Sequence, residues 1–199
     1  MNKKLNKMVK ISILSVLALI FMFIEVPLPI FPSFLKIEVS DIPAVVGAII
    51  YGPVAGVIIE LIKNLLHGIL MTSTGFVGEL ANFIVGSAFV IPVGLIYNRT
   101  NIKFKLLVSS ILGVVFMVLV AAIGNYFIFL PLYEKVMGWN LNDFVAMGAA
   151  INSSITNVKS LVILSIAPFN VLKGTIVAVV TAVIIKPLSS IIEKEKKAL

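Results

Sequence analysis

The stretch KISILSVLALIFMFIE, residues 10–25, decides the fold class because it carries no charge between its two ends. Five further apolar stretches follow it along the chain. A helix that spans a bilayer needs about 20 mostly apolar residues, so six spans with short connections nearly fill a chain of 199 residues. The sequence therefore predicts an all-α membrane protein with six transmembrane helices.

Composition excludes a soluble globule. The chain is 60% hydrophobic and 13% charged, whereas a soluble domain has roughly 25% charged residues. No length remains for a separate soluble catalytic or nucleotide-binding domain, so we expect a single membrane domain over residues 1–199. The absence of cysteine excludes disulfides, thiolate nucleophiles and cysteine-based metal sites.

The basic residues gather at the ends of the apolar stretches. This distribution follows the positive-inside rule, in which short cytoplasmic loops hold the excess of lysine and arginine. With six spans, the N-terminus, the turn near residue 100 and the C-terminus all lie on the cytoplasmic side. No aromatic-interleaved basic face accompanies the charge, so nucleic-acid binding is not expected. The three basic clusters are Lys3, Lys4, Lys7 and Lys10; Arg99, Lys103 and Lys105; and Lys186, Lys194, Lys196 and Lys197.

Proline and glycine set the predicted boundaries of the spans. The first apolar run resembles a signal peptide, but no small-x-small cleavage site follows it, so we expect a retained helix. Proline cannot continue a helix interior and is favoured in a first turn, which separates the predicted spans at Gly52-Pro53, Pro131 and Pro168. The predicted spans are residues 8–25, 41–52, 54–71, 79–98, 104–131 and 168–192, with outer loops at 26–40 and 72–78.

Residues 132–167 are long enough to hold a further span. A seventh crossing, however, would place the basic C-terminus on the side opposite to the other two basic clusters. We therefore expect residues 132–167 to form a long outer segment that contains partly embedded helices.

Ionisable residues within the third apolar stretch are the first candidates for function, because such groups are costly in a membrane. Glu60, Lys63, Asn64 and His67 share one helix face at spacings of three and four residues. They form either an internal ion pair of Glu60 with Lys63 or a polar wall coupled to transport. His67 has no second histidine or paired carboxylates beside it, so no metal site is expected.

A second set of polar residues lies near the predicted outer ends of three later helices. Glu79 either caps its helix or addresses a ligand, and Lys173 either snorkels to the membrane interface or enters a pocket. Amides and one cation suit a neutral heteroaromatic ligand with hydroxyl groups better than a metal or a phosphate. The residues expected to converge are Glu79, Asn82, Asn125 with its neighbour Tyr126, Asn170 and Lys173.

The sequence lacks the common motifs of nucleotide-binding and catalytic sites. The sequence contains no G-x-x-x-x-G-K-[ST] loop, no H-E-x-x-H and no G-x-S-x-G, so neither ATP binding of that kind nor catalysis is expected. If the chain moves a solute uphill, a partner must supply the energy.

Four segments together resemble the substrate-binding S component of energy-coupling factor (ECF) vitamin transporters, and in particular its riboflavin-specific members. The similarity covers nearly the whole chain. The segments are PLPIFPSFLKIEVSDIPA at 27–44, YGPVAGVIIELIKNLLH at 51–67, GELANF at 78–83 and PFNVLKG at 168–174.

The resemblance implies a riboflavin pocket near the outer face, with riboflavin as the transported substrate and no cofactor. It implies six helices with cytoplasmic termini, and a first outer loop that covers the pocket. By motif position, Phe34, Leu35 and Lys36 belong to this lid. The residues that line the pocket are Glu79, Asn82, Asn125, Tyr126, Asn170 and Lys173.

The resemblance also implies partners: a membrane coupling subunit and two cytoplasmic ATPase subunits. The loaded protein is expected to topple in the bilayer and so release its substrate inward. Small residues on the first helix, here Ser12, Ser15 and Ala18, would let the coupling subunit approach closely. The family usually shows Ala-x-x-x-Ala at this place, whereas this chain has Leu14 four residues before Ala18.

Other functions remain open at this point. The nearest is the same fold with a different vitamin. A membrane-embedded lipid-modifying enzyme would need a metal or acid–base cluster, and a carrier driven by protons or sodium would work without ATPase partners.

Overall fold

The computed structural model describes residues 3–100 and 104–198, and most of them are helical. Lys103 of the predicted basic turn and the side chain of Lys197 lie outside the described part of the chain. The helices are α1 (Lys3–Met22), α2 (Asp41–Tyr51), α3 (Pro53–Met71), α4 (Val77–Arg99), α5 (Lys105–Gly124), α6 (Leu130–Met137), α7 (Leu141–Ala149), α8 (Val158–Leu161) and α9 (Ala167–Ala198), with π-helices π1 (Asn125–Phe129) and π2 (Val162–Ile166).

Five helical stretches in the described residues are long and apolar enough to cross a membrane: 3–22, 53–71, 77–99, 105–137 and 158–190. The predicted second span appears as α2, which is apolar but has only 11 residues. At 1.5 Å per residue such a helix reaches about half of a 30 Å hydrocarbon layer. The fold is therefore that of an all-α membrane protein, and a sixth full crossing stays a prediction.

The predicted boundaries at Pro131 and Pro168 are wrong, because the helices continue through both prolines. Each proline is the second residue after a π-helix. The wide turns carry bonds from Leu130 N–H to the Asn125 carbonyl and from Ala167 N–H to the Val162 carbonyl. In an ordinary α-helix a proline ring clashes with the carbonyl four residues earlier, and a π-turn changes that local geometry. The long outer segment therefore shrinks to about residues 138–157 around α7.

The predicted first outer loop contains a small antiparallel hairpin. Strand β1 (Val26–Pro27) pairs with β2 (Lys36–Ile37), with Val26 opposite Ile37 and Pro27 opposite Lys36. Lys36 also forms an ion pair with Glu25. The hairpin holds the intervening residues 28–35 as an arch over one end of the helices.

Close helix packing around α2 and α4 forms the main core. Ala44, Ala48, Phe89 and Val93 are fully buried there. A Cβ atom at Gly94 would lie 3.0 Å from the Cβ of Ala48, so glycine permits this close approach. Small residues serve the same purpose at helix contacts in membranes generally.

The small residues of α1 serve packing within the chain, which corrects the predicted partner surface. Ser15 and Ala18 are 1% and 0% exposed, and the Ser15 hydroxyl donates to the Ile11 carbonyl at 2.9 Å. Of the three predicted residues, Ser12 alone is exposed. Large apolar side chains such as Ile13 and Val16 cover the rest of that outer face.

The described basic clusters meet at one end of the helices. Lys10 pairs with Glu195 at 2.5 Å, Lys7 donates to the Tyr51 carbonyl at 3.1 Å, and Lys196 donates to Asn98 at 2.6 Å. The hairpin, the turn after α3 and the segment around α7 lie at the opposite end. The assignment of the basic end to the cytoplasm stays a prediction.

Candidate functional site

A chamber of ≈ 420 Å³ lies at the end opposite to the basic clusters. Its volume is within the range of roughly 300–1,000 Å³ that is typical of small-molecule sites. The hairpin, the start of α4, π1, the α6–α7 region and the start of α9 surround it. Eight of the nine predicted binding residues line this chamber: Phe34, Leu35, Lys36, Glu79, Asn82, Asn125, Asn170 and Lys173.

Tyr126 is the exception, and its predicted role in the pocket is corrected. Its side chain is 41% exposed and lines a separate apolar groove together with Phe127 and Lys159. Asn125 faces the chamber, and the next residue on a helix points about 100° away from it. Adjacent residues of π1 therefore do not share the site.

Glu38 is the central polar residue of the chamber. Its Oε1 atom lies 2.5 Å from Lys173 Nζ and accepts a 3.2 Å hydrogen bond from Asn82 Nδ2. Its Oε2 atom accepts a 2.6 Å hydrogen bond from the Ser40 backbone N–H. Two predicted binding residues on different helices thus meet at a single carboxylate from the loop before α2.

A fully buried charge network continues below Glu38. Lys63 Nζ lies 2.5 Å from Asp41 Oδ1 and 2.9 Å from Glu60 Oε2, and it donates to the Ser40 hydroxyl at 2.6 Å. Asp41 Oδ2 lies 3.4 Å from Lys173 Nζ, which joins the network to the chamber. The pair of Glu60 with Lys63 is therefore present, as part of a larger cluster that ties α2, α3 and α9 together.

Close contact with α4 positions Glu60. A Cβ atom at Gly86 would lie 2.6 Å from Glu60 Oε2, so a larger residue at that place would have to displace the Glu60 carboxylate. Asn64, four residues later on the same helix face, donates from Nδ2 to the Glu60 carbonyl at 2.8 Å.

Glu79 organises the turn between α3 and α4. Its Oε2 atom accepts hydrogen bonds from the hydroxyls of Thr72 at 3.1 Å and Thr74 at 2.9 Å, and its Oε1 lies 3.0 Å from His67 Nδ1. Protein groups therefore already use both oxygens. Among the described residues no cluster of three histidine or carboxylate groups could hold a metal ion.

Asn125 and Asn170 mark the chamber side of the two π-containing helices. Each amide donates one hydrogen to its own helix, Asn125 to the Ala121 carbonyl and Asn170 to the Ile166 carbonyl, both at 2.8 Å. The rest of each amide is available to a ligand.

Aromatic side chains form a wall that sequence reasoning did not assign to the site. Tyr133 and Trp139 lie parallel, with ring centroids 5.6 Å apart and an interplanar angle of 2°. Phe34 contacts Phe144 edge-on at 5.1 Å. The only sequence signal was the density of aromatic residues at 133–144. Such a wall suits a flat aromatic ligand.

Glu38 was also missed as a site residue, and Asp41 was missed as part of the buried network that adjoins the chamber. They flank Ser40 in an otherwise apolar stretch, which was the available signal. Burial alone would raise the pKa of Glu38, but the charges of Lys173 and Lys63 outweigh burial and hold that pKa well below its usual range. Glu38 is therefore an ionised acceptor in the chamber.

Comparison with known proteins places the chain in a family. Residues 6–185 match the model of the ECF transporter substrate-specific component. The chain is 36% identical to the riboflavin transporter FmnP of Bacillus subtilis (strain 168), with 98% of each protein covered. It is 32% identical to the riboflavin transporter RibU of Staphylococcus aureus (strain TCH60), with 98% of this chain and 96% of that protein covered.

A solved structure agrees with these sequence relatives. The protein in that structure is the S component of a bacterial ECF transporter. The TM-score is 0.74 at 30% identity, with 94% of this chain and 98% of that chain covered. The chain is thus a multi-pass cell-membrane protein and a transporter component rather than an enzyme, and it belongs to the family of ECF transporter substrate-specific components.

Proposed function

We propose that the chain is the riboflavin-binding, substrate-specificity subunit of an ATP-driven ECF vitamin importer. The observation that carries this proposal is the convergence of eight predicted binding residues on one chamber. Relatives named riboflavin transporters, similar over nearly the full length, support riboflavin over other vitamins.

Riboflavin has two parts that the chamber suits. Its flat tricyclic ring suits the aromatic wall of Tyr133, Trp139 and Phe144, with Phe34 and Leu35 above it on the arch. Its polar edge and its hydroxylated chain require donors and acceptors, which Asn125, Asn170 and the Lys173–Glu38–Asn82 group provide. Because Glu79 is already bonded to the threonine hydroxyls, we propose that it shapes the chamber edge more than it holds the ligand.

The sequence has no Walker A loop, so ATP binding of that kind is not expected of this chain. We therefore propose a membrane coupling subunit and two cytoplasmic ATPase subunits as partners. We also propose six crossings with both termini in the cytoplasm, with the short helix α2 completing the second crossing. The clustering of lysines at the end opposite to the chamber supports this orientation.

A titration tests the ligand. Purified protein in detergent is titrated with riboflavin, thiamine, biotin and folate, and riboflavin binding is followed by quenching of its fluorescence. Saturable binding of riboflavin alone is expected. Binding of another vitamin without riboflavin would overturn the ligand assignment.

Uptake into vesicles tests the partners. Vesicles that contain this chain alone should bind riboflavin without accumulating it, and accumulation should require the coupling subunit and ATP. Accumulation by the chain alone under an ion gradient would instead identify a self-sufficient carrier.

A further inference from the structure

Three polar groups of the chamber meet at one atom. Lys173 Nζ and Asn82 Nδ2 approach the same oxygen, Glu38 Oε1, at 2.5 and 3.2 Å. They come from α9, α4 and the loop before α2, which no local motif brings together. All three residues line the chamber.

Each group retains hydrogen-bonding capacity after these contacts. An ammonium has three donors, and Lys173 gives one of them to Glu38 while it lies 3.4 Å from Asp41 Oδ2 in an ion pair. An amide nitrogen has two donors, and Asn82 gives one to Glu38. A carboxylate has about four acceptor sites, and Glu38 uses three of them for Lys173, Asn82 and the Ser40 N–H. At least one donor on Lys173, one acceptor site on Glu38 Oε2 and one donor on Asn82 therefore remain, and the Asn82 amide oxygen also has no hydrogen-bond partner.

The group is also held in place. The Ser40 N–H fixes one oxygen of Glu38, and the buried pair of Lys63 with Asp41 lies directly behind Lys173. The charge of Lys173 is balanced by Glu38 and Asp41, so it is not free to attract an anionic ligand. A neutral ligand with complementary hydrogen bonds is favoured.

Resting on the function proposed above, we propose that Lys173, Glu38 and Asn82 recognise the cyclic imide edge of the ligand. An imide presents a carbonyl, an N–H and a second carbonyl in a row. The N–H donates to Glu38, while Lys173 and Asn82 donate to the two carbonyls. Glu38 is thus a specificity-determining residue, because it rejects ligands that present an acceptor or an anion where the imide has its N–H.

Two riboflavin analogues test this assignment. In 3-methylriboflavin a methyl group replaces the imide hydrogen, whereas 5-deazariboflavin keeps the imide and changes the ring elsewhere. With the unmodified protein, methylation should weaken binding at least about tenfold because a buried acceptor loses its donor. The deaza analogue should bind within about threefold of riboflavin, since the imide contacts stay intact.

Variants separate hydrogen bonding from simple crowding by the methyl group. Glu38→Gln has nearly the same shape but a weaker acceptor, so the methylation penalty should shrink to within about threefold. Glu134→Gln, at an exposed carboxylate outside the chamber, is the control and should keep the full penalty. An undiminished penalty in Glu38→Gln would overturn the proposal.

A second variant covers the case in which Glu38→Gln does not fold. Asn82→Leu should weaken riboflavin binding at least about fivefold because one imide carbonyl loses its donor. Unchanged affinity in this variant would overturn the proposal, as would tolerance of 3-methylriboflavin by the unmodified protein. In both cases riboflavin still binds and the proposed function stands, whereas absence of riboflavin binding overturns that function itself.

Discussion

Lys173 Nζ lies 2.5 Å from Glu38 Oε1, and this ion pair joins two residues that are 135 positions apart in the chain. The pair connects the last helix to the segment between the hairpin and α2. Both side chains are almost completely buried. The same contact therefore serves chamber geometry and stability, which makes its removal informative in two ways.

Lys173→Ala should weaken riboflavin binding at least about tenfold, since a donor to the ligand is lost. It should also destabilise the protein without ligand by about 3–5 kcal/mol, because Glu38 remains buried without its counter-charge. Titration and thermal unfolding in the same detergent measure the two effects. Lys135→Ala, at an exposed lysine on the chamber side of the molecule, should change neither. A Lys173→Ala protein with normal affinity would remove α9 from the site.

Lys63→Met should be among the most destabilising single substitutions. Lys63 is 0% exposed and is the shared counter-charge of Asp41 and Glu60, so its loss should cost about 3–5 kcal/mol. Adding Asp41→Asn should restore part of this loss, because one uncompensated charge is then removed. Thermal unfolding of both variants is the measurement. Additive losses in the double variant would contradict the proposed coupling.

Ala18→Leu should destabilise the protein by about 1–3 kcal/mol, because a fully buried site has no space for the larger side chain. Ser12→Leu, on the exposed face of the same helix, should leave unfolding and riboflavin binding unchanged. If the coupling subunit contacts this face, Ser12→Leu should lower uptake in the assembled transporter. Normal uptake would show that the coupling surface lies elsewhere.

Stability should depend on pH through Glu38. Its pKa in the folded protein lies below the ordinary value of 4.5, so the unfolded chain takes up the proton first as the pH falls. The stabilising contribution of Glu38 is therefore fully present above 4.5 and is lost as the pH falls toward the folded-state pKa. The difference in melting temperature between the unmodified protein and Glu38→Gln should be constant from about pH 8 to 5 and shrink below about pH 4. A difference that grows on acidification would contradict this sign.

Hydrophobicity predicted the helices well, because apolar length is a local property of the sequence. It failed at Pro131 and Pro168, where the usual rule that proline interrupts a helix did not apply. A separate π-helix precedes each proline. A single sequence contains no pattern that predicts such a turn. Asn125 faces the chamber while Tyr126 does not, because consecutive residues on a helix point about 100° apart.

The predicted residues that line the chamber are mostly polar residues that stood out against apolar helices, as at Asn82, Asn170 and Lys173. The predicted set did not include Glu38, which lies in a loop, where a polar residue does not stand out. Its burial depends on the hairpin, α4 and α9 meeting, which is a tertiary property. Likewise, Ser15 and Ala18 are small because α1 packs tightly within the chain, and sequence alone does not distinguish this from contact with a partner.

Lipid tails are as apolar as leucine, so two apolar helix surfaces gain little free energy by packing together inside a bilayer. The ion pairs among Asp41, Glu60, Lys63 and Lys173 specify how the helices pack, which apolar contacts alone do not. Sliding α2, α3 or α9 by one turn, roughly 5.4 Å, would strand a charge in hydrocarbon. These side chains therefore fix the vertical alignment of three helices, and with it the depth at which the vitamin site sits.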